Sequence, residues 1–256
     1  MNVLHISDIH YRSVYQNTNP YEVMLSHMDS SFERLKTVIT DVMTVSSIDL
    51  IVISGDICDE GSADDYAHLK KYFDSLSVPM LVTLGNHDIR PAFYEGWLNE
   101  KKDQSYLEVM KTGEITWISF DNSMHGKPCG YVDEVRLEWL KKQLEENDNC
   151  IVIMHHQFPD LPGIPGMDGS DRIRKVLSAH KPLAVLNGHT HWIKDEMIDG
   201  IPYFTAPSIS FRAVNEEDGS IIFSQSCGYR IYSVSVDGVK PLRECEKQGK
   251  ELAVWK

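Results

Sequence analysis

The chain has 256 residues, with 38 acidic against 25 basic side chains and a formal net charge of -13. That length suits an α/β fold with a full core. The acidic balance argues against a nucleic-acid partner, which needs a basic footprint, but not against a small anion reached through bound cations.

The opening MNVLHISDIH has neither a basic leader nor a long apolar run and reads as a first strand, 2–7. A helical pattern covers 24–46, and DLIVIS (49–54) reads as the next strand. The helix expected over 62–76 opens at Ser62 as N-cap, with Asp64 and Asp65 in its first turn. Further strands are expected at 79–84, 115–120, 150–155 and 183–188, with helices at 133–146 and 170–180. Several of these strands are apolar throughout, as strands covered on both faces are. FPDLPGIPGMDGS (158–170) is dense in Pro and Gly and reads as a loop at the rim of a site, or a lid over it. After about residue 193 the pattern turns to hairpins and meandering strands. The exposed edges of such a tail leave room for a homo-oligomer. Cys58, Cys129, Cys150, Cys227 and Cys245 are scattered and form no CxxC, as thiols of a reducing compartment would be. With no linker, repeat or membrane-length apolar run, the expectation is a single domain over 1–256, soluble and cytoplasmic.

The polar residues fall where strands end. LHISDIH gives Asp8 and His10; IVISGDICDEG gives Asp56 and Asp59; LVTLGNHD gives Asn86, His87 and Asp88. IVIMHHQFP gives His155 and His156, and VLNGHTHWIK gives His189 and His191, which would share one side if the backbone there were extended. Taken singly, Asp8 or Asp56 reads as a cap or turn residue, Asn86 as a left-handed turn residue beside Gly85, and His155 as a core histidine. Five strand ends that all finish this way point instead to one site at the carboxyl ends of parallel strands. Asp, Asn and His without Cys make the mixed N/O ligand set of a divalent site. They outnumber the three protein ligands of a single catalytic zinc, whereas two metals sharing a carboxylate would use them all. His156 either lines the pocket beside His155 or ends the strand facing away.

The ordered blocks DxH (Asp8–His10), GDxxD (Gly55–Asp59), GNHD (Gly85–Asp88), HHxxP (His155–Pro159) and GHxH (Gly188–His191) resemble those of the calcineurin-like metallophosphoesterases. Within that family, TAPSISF and GYRIYSV look like the bacterial class III cyclic-nucleotide phosphodiesterases. The resemblance implies an αββα sandwich of two mixed sheets flanked by helices. It implies Asp8, His10 and His191 as ligands of one metal, Asn86, His155 and His189 as ligands of the other, and Asp56 as the bridge. His87 would be the non-ligand histidine near the scissile bond, and Asp59 the carboxylate that orients it.

Two divalent ions (Mn, Fe, Zn or Co) would then clamp the phosphoryl group while a bridging hydroxide attacks phosphorus and His87 protonates the leaving alkoxide. Phosphoprotein phosphatases of this superfamily follow GDxxD with arginine, suited to a dianionic monoester, whereas this chain has Glu60. The substrate expected is therefore a small phosphodiester, of the cyclic-nucleotide or glycerophosphodiester class. A monoesterase or nucleotide-pyrophosphate hydrolase on the same core is the second enzyme reading, and a metal-poor protein-binding scaffold the non-enzymatic one. Arg12 and Arg212 read as surface or packing arginines that could partly replace the missing guanidinium, and Trp192 and Phe211 as buried aromatics that could instead stack on a leaving group.

Overall fold

A computed structural model of the chain describes residues 1–158 and 166–256. Strand β1 (Asn2–Ile6) pairs in parallel with β2 (Leu50–Ser54), and β2 with β3 (Met80–Thr83). Helices α1 (Pro20–Ser26) and α2 (Ser31–Val45) connect the first pair, and α3 (Ala63–Ser75) the second. After α4 (Arg90–Leu98), β4 (Leu107–Thr112) and β5 (Ile115–Phe120) pair antiparallel and begin another sheet. There β5, β6 (Cys150–Ile153), β7 (Ala184–Asn187) and β9 (Ile201–Thr205) run parallel, linked by α5 (Glu134–Glu146) and α6 (Ser170–His180), and β8 (Lys194–Ile198) closes the far edge antiparallel to β9. The chain returns to the first sheet through β10 (Phe211–Asn215), β11 (Ile221–Ser235) and β12 (Gly238–Trp255). Strand β11 is antiparallel to β10, β1 and β12. Among the described residues the result is two mixed sheets, ordered β10-β11-β1-β2-β3 with β12 on β11, and β4-β5-β6-β7-β9-β8.

The expected α/β sandwich follows from what covers each face. Between the sheets, Val3, Leu50, Val52 and Leu81 meet Trp117, Ile151, Ile153 and Leu186. The outer face of the first sheet packs Leu4, Ile51 and Ile53 under Leu35, Leu69 and Phe93 of α2, α3 and α4. On the second sheet, Ile118 and Val152 lie under Leu140 and Leu177 of α5 and α6. Strands β2, β5, β6 and β7 are buried at every residue, which is why they read as continuous apolar runs.

The helix expected over 24–46 is two helices. Asn19 caps α1, its Oδ1 accepting from the Glu22 amide at 2.9 Å, and Ser30 caps α2. The intervening Asp29 is tied to Gln225 of β11 by bonds of 2.7 and 3.0 Å, a long-range anchor that breaks the helical pattern. Ser62 and Asp65 form the capping box at the start of α3. Sequence reading did not foresee α4 and β4. The core of the loop proposed at 158–170 lies outside the described residues; its flanks, Phe158 and Met167, are buried in the second-sheet core. No described helix is long and apolar enough to cross a membrane, and all five cysteines are free thiols.

Candidate metal centre

Strands β1, β2 and β3 of one sheet and β6 and β7 of the other all end at the same rim, so the site straddles the sandwich. Beyond these ends the backbone turns sharply inward. Asp8 (φ 52°), His10 (45°), Asp56 (46°), His189 (70°) and His191 (68°) all occupy the left-handed region that non-glycine residues avoid. Asn86 does not, so its turn is made without the αL geometry its residue type suggests. Gly55 is needed where it stands, because a β-carbon there would lie 2.4 Å from His155 Nδ1.

The side chains converge closely. His191 Nε2 lies 3.2 Å from Asp8 Oδ1 and 3.3 Å from His10 Nε2. Asp56 Oδ2 lies 3.5 Å from His10 Nε2 and 3.2 Å from His155 Nε2. Donor atoms on a shared cation, with bonds of about 2.1 Å, sit roughly 3.0–3.4 Å apart. Asp8, His10 and His191 form one cluster with atoms inside 4.8 Å of one another, and Asp8, Asp56 and His155 form another, so Asp56 faces both histidine groups.

Each imidazole is oriented by its far nitrogen. His155 Nδ1 is 2.7 Å from the Ser54 carbonyl, His191 Nδ1 is 2.5 Å from the Phe211 carbonyl, and His10 Nδ1 is 3.3 Å from Asp59 Oδ1. These partners are acceptors, so each ring carries its proton on Nδ1 and turns an Nε2 lone pair inward. Inside the cluster, lone pairs of His10, His155 and His191 therefore face one another and the Asp8 and Asp56 carboxylates without an intervening donor. Asn86 Oδ1, His155 Nε2 and His189 Nε2 are buried and have no hydrogen-bond partner. Converging acceptors of this kind fit divalent cations, and the N/O donor set suits Mn, Fe, Zn or Co.

His87 stands beside this group. Its Nδ1 is 2.8 Å from Asp59 Oδ1, and its amide donates to Asp56 Oδ1 at 2.8 Å. Burial works against the imidazolium, but the charges of Asp56 and the hydrogen-bonded Asp59 outweigh it and raise the pKa to about 9. The 28 % of the side chain still exposed lets solvent damp that effect. Burial alone would raise the Asp59 carboxyl too, but the Nδ1–H bonds from His10 and His87 reverse it and hold Asp59 below the ordinary carboxylate range.

A pocket of about 300 Å³ opens over His10, Asp56, Asn86 and His87, with Tyr21, Trp192 and Phe211 on its walls and, among the described residues, no lysine or arginine. Trp192 thus faces the pocket, while Phe211 opens β10 of the first sheet and serves both pocket and core. Arg12 and Arg212 are paired with Glu22 (3.0 Å) and Glu246 (2.8 Å) and do not line this pocket; Arg212 lines a neighbouring cavity that shares Trp192 and Ala213 with it. The Glu60 amide donates to the His87 carbonyl at 2.9 Å, but its half-exposed side chain lies 3.8 Å from His125 and does not line the pocket. Repulsion by Glu60 is therefore not what sets the charge of the pocket; the missing guanidinium is.

Tyr21, Asn122 and Tyr66 carried no functional signal in sequence, and Asp88 stood in a motif without a role of its own. The Tyr21 hydroxyl donates to Asp59 Oδ1 at 3.2 Å. Asn122 holds the backbone of His155 and His156, and Asp88 and Tyr66 pin the β2 and β3 loops together. His156 is fully buried and turned toward His155 and His189, which decides between its two orientations.

Known proteins resemble this chain in sequence and in fold. A protein of Arcobacter nitrofigilis named a probable glycerophosphodiester phosphodiesterase is 33% identical over 175 residues, spanning 63% of this chain and 63% of that protein. A Xenorhabdus bovienii protein named a probable cyclic nucleotide phosphodiesterase is 24% identical over 247 residues, covering 93% of this chain and 97% of its own length. A dimetal phosphatase from Danio rerio shares the fold at 13% identity, with a TM-score of 0.55 over 98% of this chain and 99% of that one. The calcineurin-like phosphoesterase model matches residues 1–192. That match takes in all five strand ends, and the chain belongs to the calcineurin-like phosphoesterase family of hydrolases.

Proposed function

We propose that the chain is a dinuclear-metal phosphodiesterase of small diesters, of the cyclic-nucleotide or glycerophosphodiester class. The observation that carries this reading is the convergence of Nε2 lone pairs from His10, His155 and His191 on two buried carboxylates with no donor among them. Asp8, His10 and His191 would hold one ion, Asn86, His155 and His189 the other, with Asp56 shared. When bound, two such ions supply Lewis acidity toward water and the phosphoryl oxygens. Asn86, a neutral ligand, keeps the negative charge of the site down.

The protein's own residues do the rest. His87 is fixed through Nδ1 by Asp59, which leaves Nε2 for the leaving oxygen; it would deliver a proton to the departing alkoxide. A pocket that the described residues line without a guanidinium or ammonium group suits a monoanionic diester better than a dianionic monoester. The names of the Arcobacter and Xenorhabdus relatives support the same class.

The test is hydrolysis of bis(p-nitrophenyl) phosphate against p-nitrophenyl phosphate by metal-stripped protein with Mn²⁺ restored. Metal-dependent turnover favouring the diester, lost in Asn86→Ala, is expected. Preference for the monoester would overturn the diester reading, and inactivity despite bound metal would favour a binding scaffold.

A further inference from the structure

His155 and His156 follow the end of β6, where the chain bends, and their rings lie together, 4.8 Å apart between centroids. The His156 ring is closer still to His189, at 4.2 Å. Asn122 causes this bend. Its Oδ1 accepts from the amides of both histidines at 3.0 and 3.1 Å, and its Nδ2 donates to the His156 carbonyl at 3.0 Å. Gly130 lets the residue sit this deep, since a β-carbon there would stand 2.8 Å from His156 Cβ.

The His156 side chain is fully buried, and neither ring nitrogen has a hydrogen-bond partner. An imidazole with both nitrogens buried and unmatched is rare in a native structure and requires a cause. His10, His155 and His191 each have Nδ1 anchored. His155, His156 and His189 each offer a ring nitrogen within 4.8 Å of the others.

We propose that His156 is an additional ligand of the second ion, joining Asn86, His155 and His189. The inference rests on the dinuclear reading above. It makes that position rich in imidazole, whereas the first is built on Asp8 and Asp56 with two histidines. The second position should then prefer Co²⁺ or Zn²⁺ over Mn²⁺ more strongly than the first.

The experiment titrates metal-free protein with Co²⁺, reading ions bound per chain, affinity and the d–d absorption band. Wild type is compared with His156→Phe, which fills the space with a ring, and His156→Gln, which keeps a polar side chain. Two Co²⁺ per wild-type chain are expected. In both variants one site should weaken about tenfold or more with an altered band, while the other is unmoved. If His156→Phe does not fold, His156→Gln decides. Unchanged affinities and superimposable spectra in a folded variant overturn the His156 assignment and leave the dinuclear reading standing. Fewer than two ions in wild type overturn both.

Discussion

Asp88 offers a severe test, because its carboxylate works entirely inside the protein. Oδ1 accepts from the Cys58 amide at 3.0 Å and the Tyr66 hydroxyl at 2.7 Å, and Oδ2 from the Ile57 amide at 3.2 Å and the Gly85 amide at 2.8 Å. These four bonds clamp the loop carrying Asp56 to the loop carrying Asn86. Asp88→Asn keeps the shape but turns one acceptor into a donor. Placing the amide nitrogen at Oδ2 sets it against two backbone N–H groups. Placing it at Oδ1 leaves only the Cys58 amide opposed, because the Tyr66 hydroxyl can rotate and accept.

The second orientation is cheaper. It orphans one buried amide, at roughly 1–3 kcal/mol, and weakens the remaining bonds by removing their charge. Relief of repulsion from Asp56 offsets part of this, so a net loss of about 2–3 kcal/mol is expected from urea unfolding of the metal-free protein. Asp88→Ala opposes nothing but orphans all three amides, and should lose more than the Asn variant. Co²⁺ uptake by Asp88→Asn should weaken as well, since the Asp56 and Asn86 loops lose their common register. An Asn variant within about 0.5 kcal/mol of wild type with unchanged uptake would refute the clamp.

Other perturbations separate the parts of the site. Chelation of both bound ions should lower Tm by about 10–30 °C, as expected when two ions at 100 to 1,000 times their Kd each stabilise by about 3–4 kcal/mol; a melting curve indifferent to chelator would contradict the metal centre. Gly85→Ala would place a β-carbon 2.1 Å from Asp56 Oδ1 and should weaken metal uptake tenfold or more, measured by equilibrium dialysis. Tyr21→Phe removes a hydrogen bond to Asp59 and should lower kcat about three- to tenfold on bis(p-nitrophenyl) phosphate while KM stays within twofold, which steady-state kinetics will show. His5 is buried between Ser54 and Tyr232, and burial, then Arg230, lowers its pKa to about 3. A depressed histidine pKa means the unfolded chain binds more protons below pH 6.5, so stability falls as pH drops from 6.5 toward 3. The loss is about 2 kcal/mol at pH 5, and His5→Gln should flatten that slope in urea titrations.

What could be read from sequence was chemistry tied to strand ends. Asp8, Asp56, Asn86, His155 and His189 each follow an apolar run, so residue type and position together announce a site. The contributors that stayed hidden act across long separations: Asn122 reaches His155 over 33 residues, and Tyr21 reaches Asp59 over 38. Neither has a spacing that local pattern could show. The same reason explains the helix at 24–46, whose break is set by Gln225, 196 residues from Asp29. Helix α4 was missed because the apolar residues of RPAFYEGWL nearly surround it, which leaves no clean stripe.

The site also shows where the fold accepts strain. Five of the seven candidate ligands hold a left-handed backbone, at about 1 kcal/mol or more each, and their lone pairs converge without donors. Neither feature helps the chain fold. Both are tolerated because the flanking strands are buried where they run into the site, and because the supports around the ligands are satisfied backbone groups: the Ser54 carbonyl for His155, the Phe211 carbonyl for His191, and the amides gathered by Asp88. A rim held this way cannot relax outward to separate its acceptors. Rigidity in the supports is therefore what turns an electrostatic liability into an affinity for cations, and it ties the two sheets' strand ends to one centre.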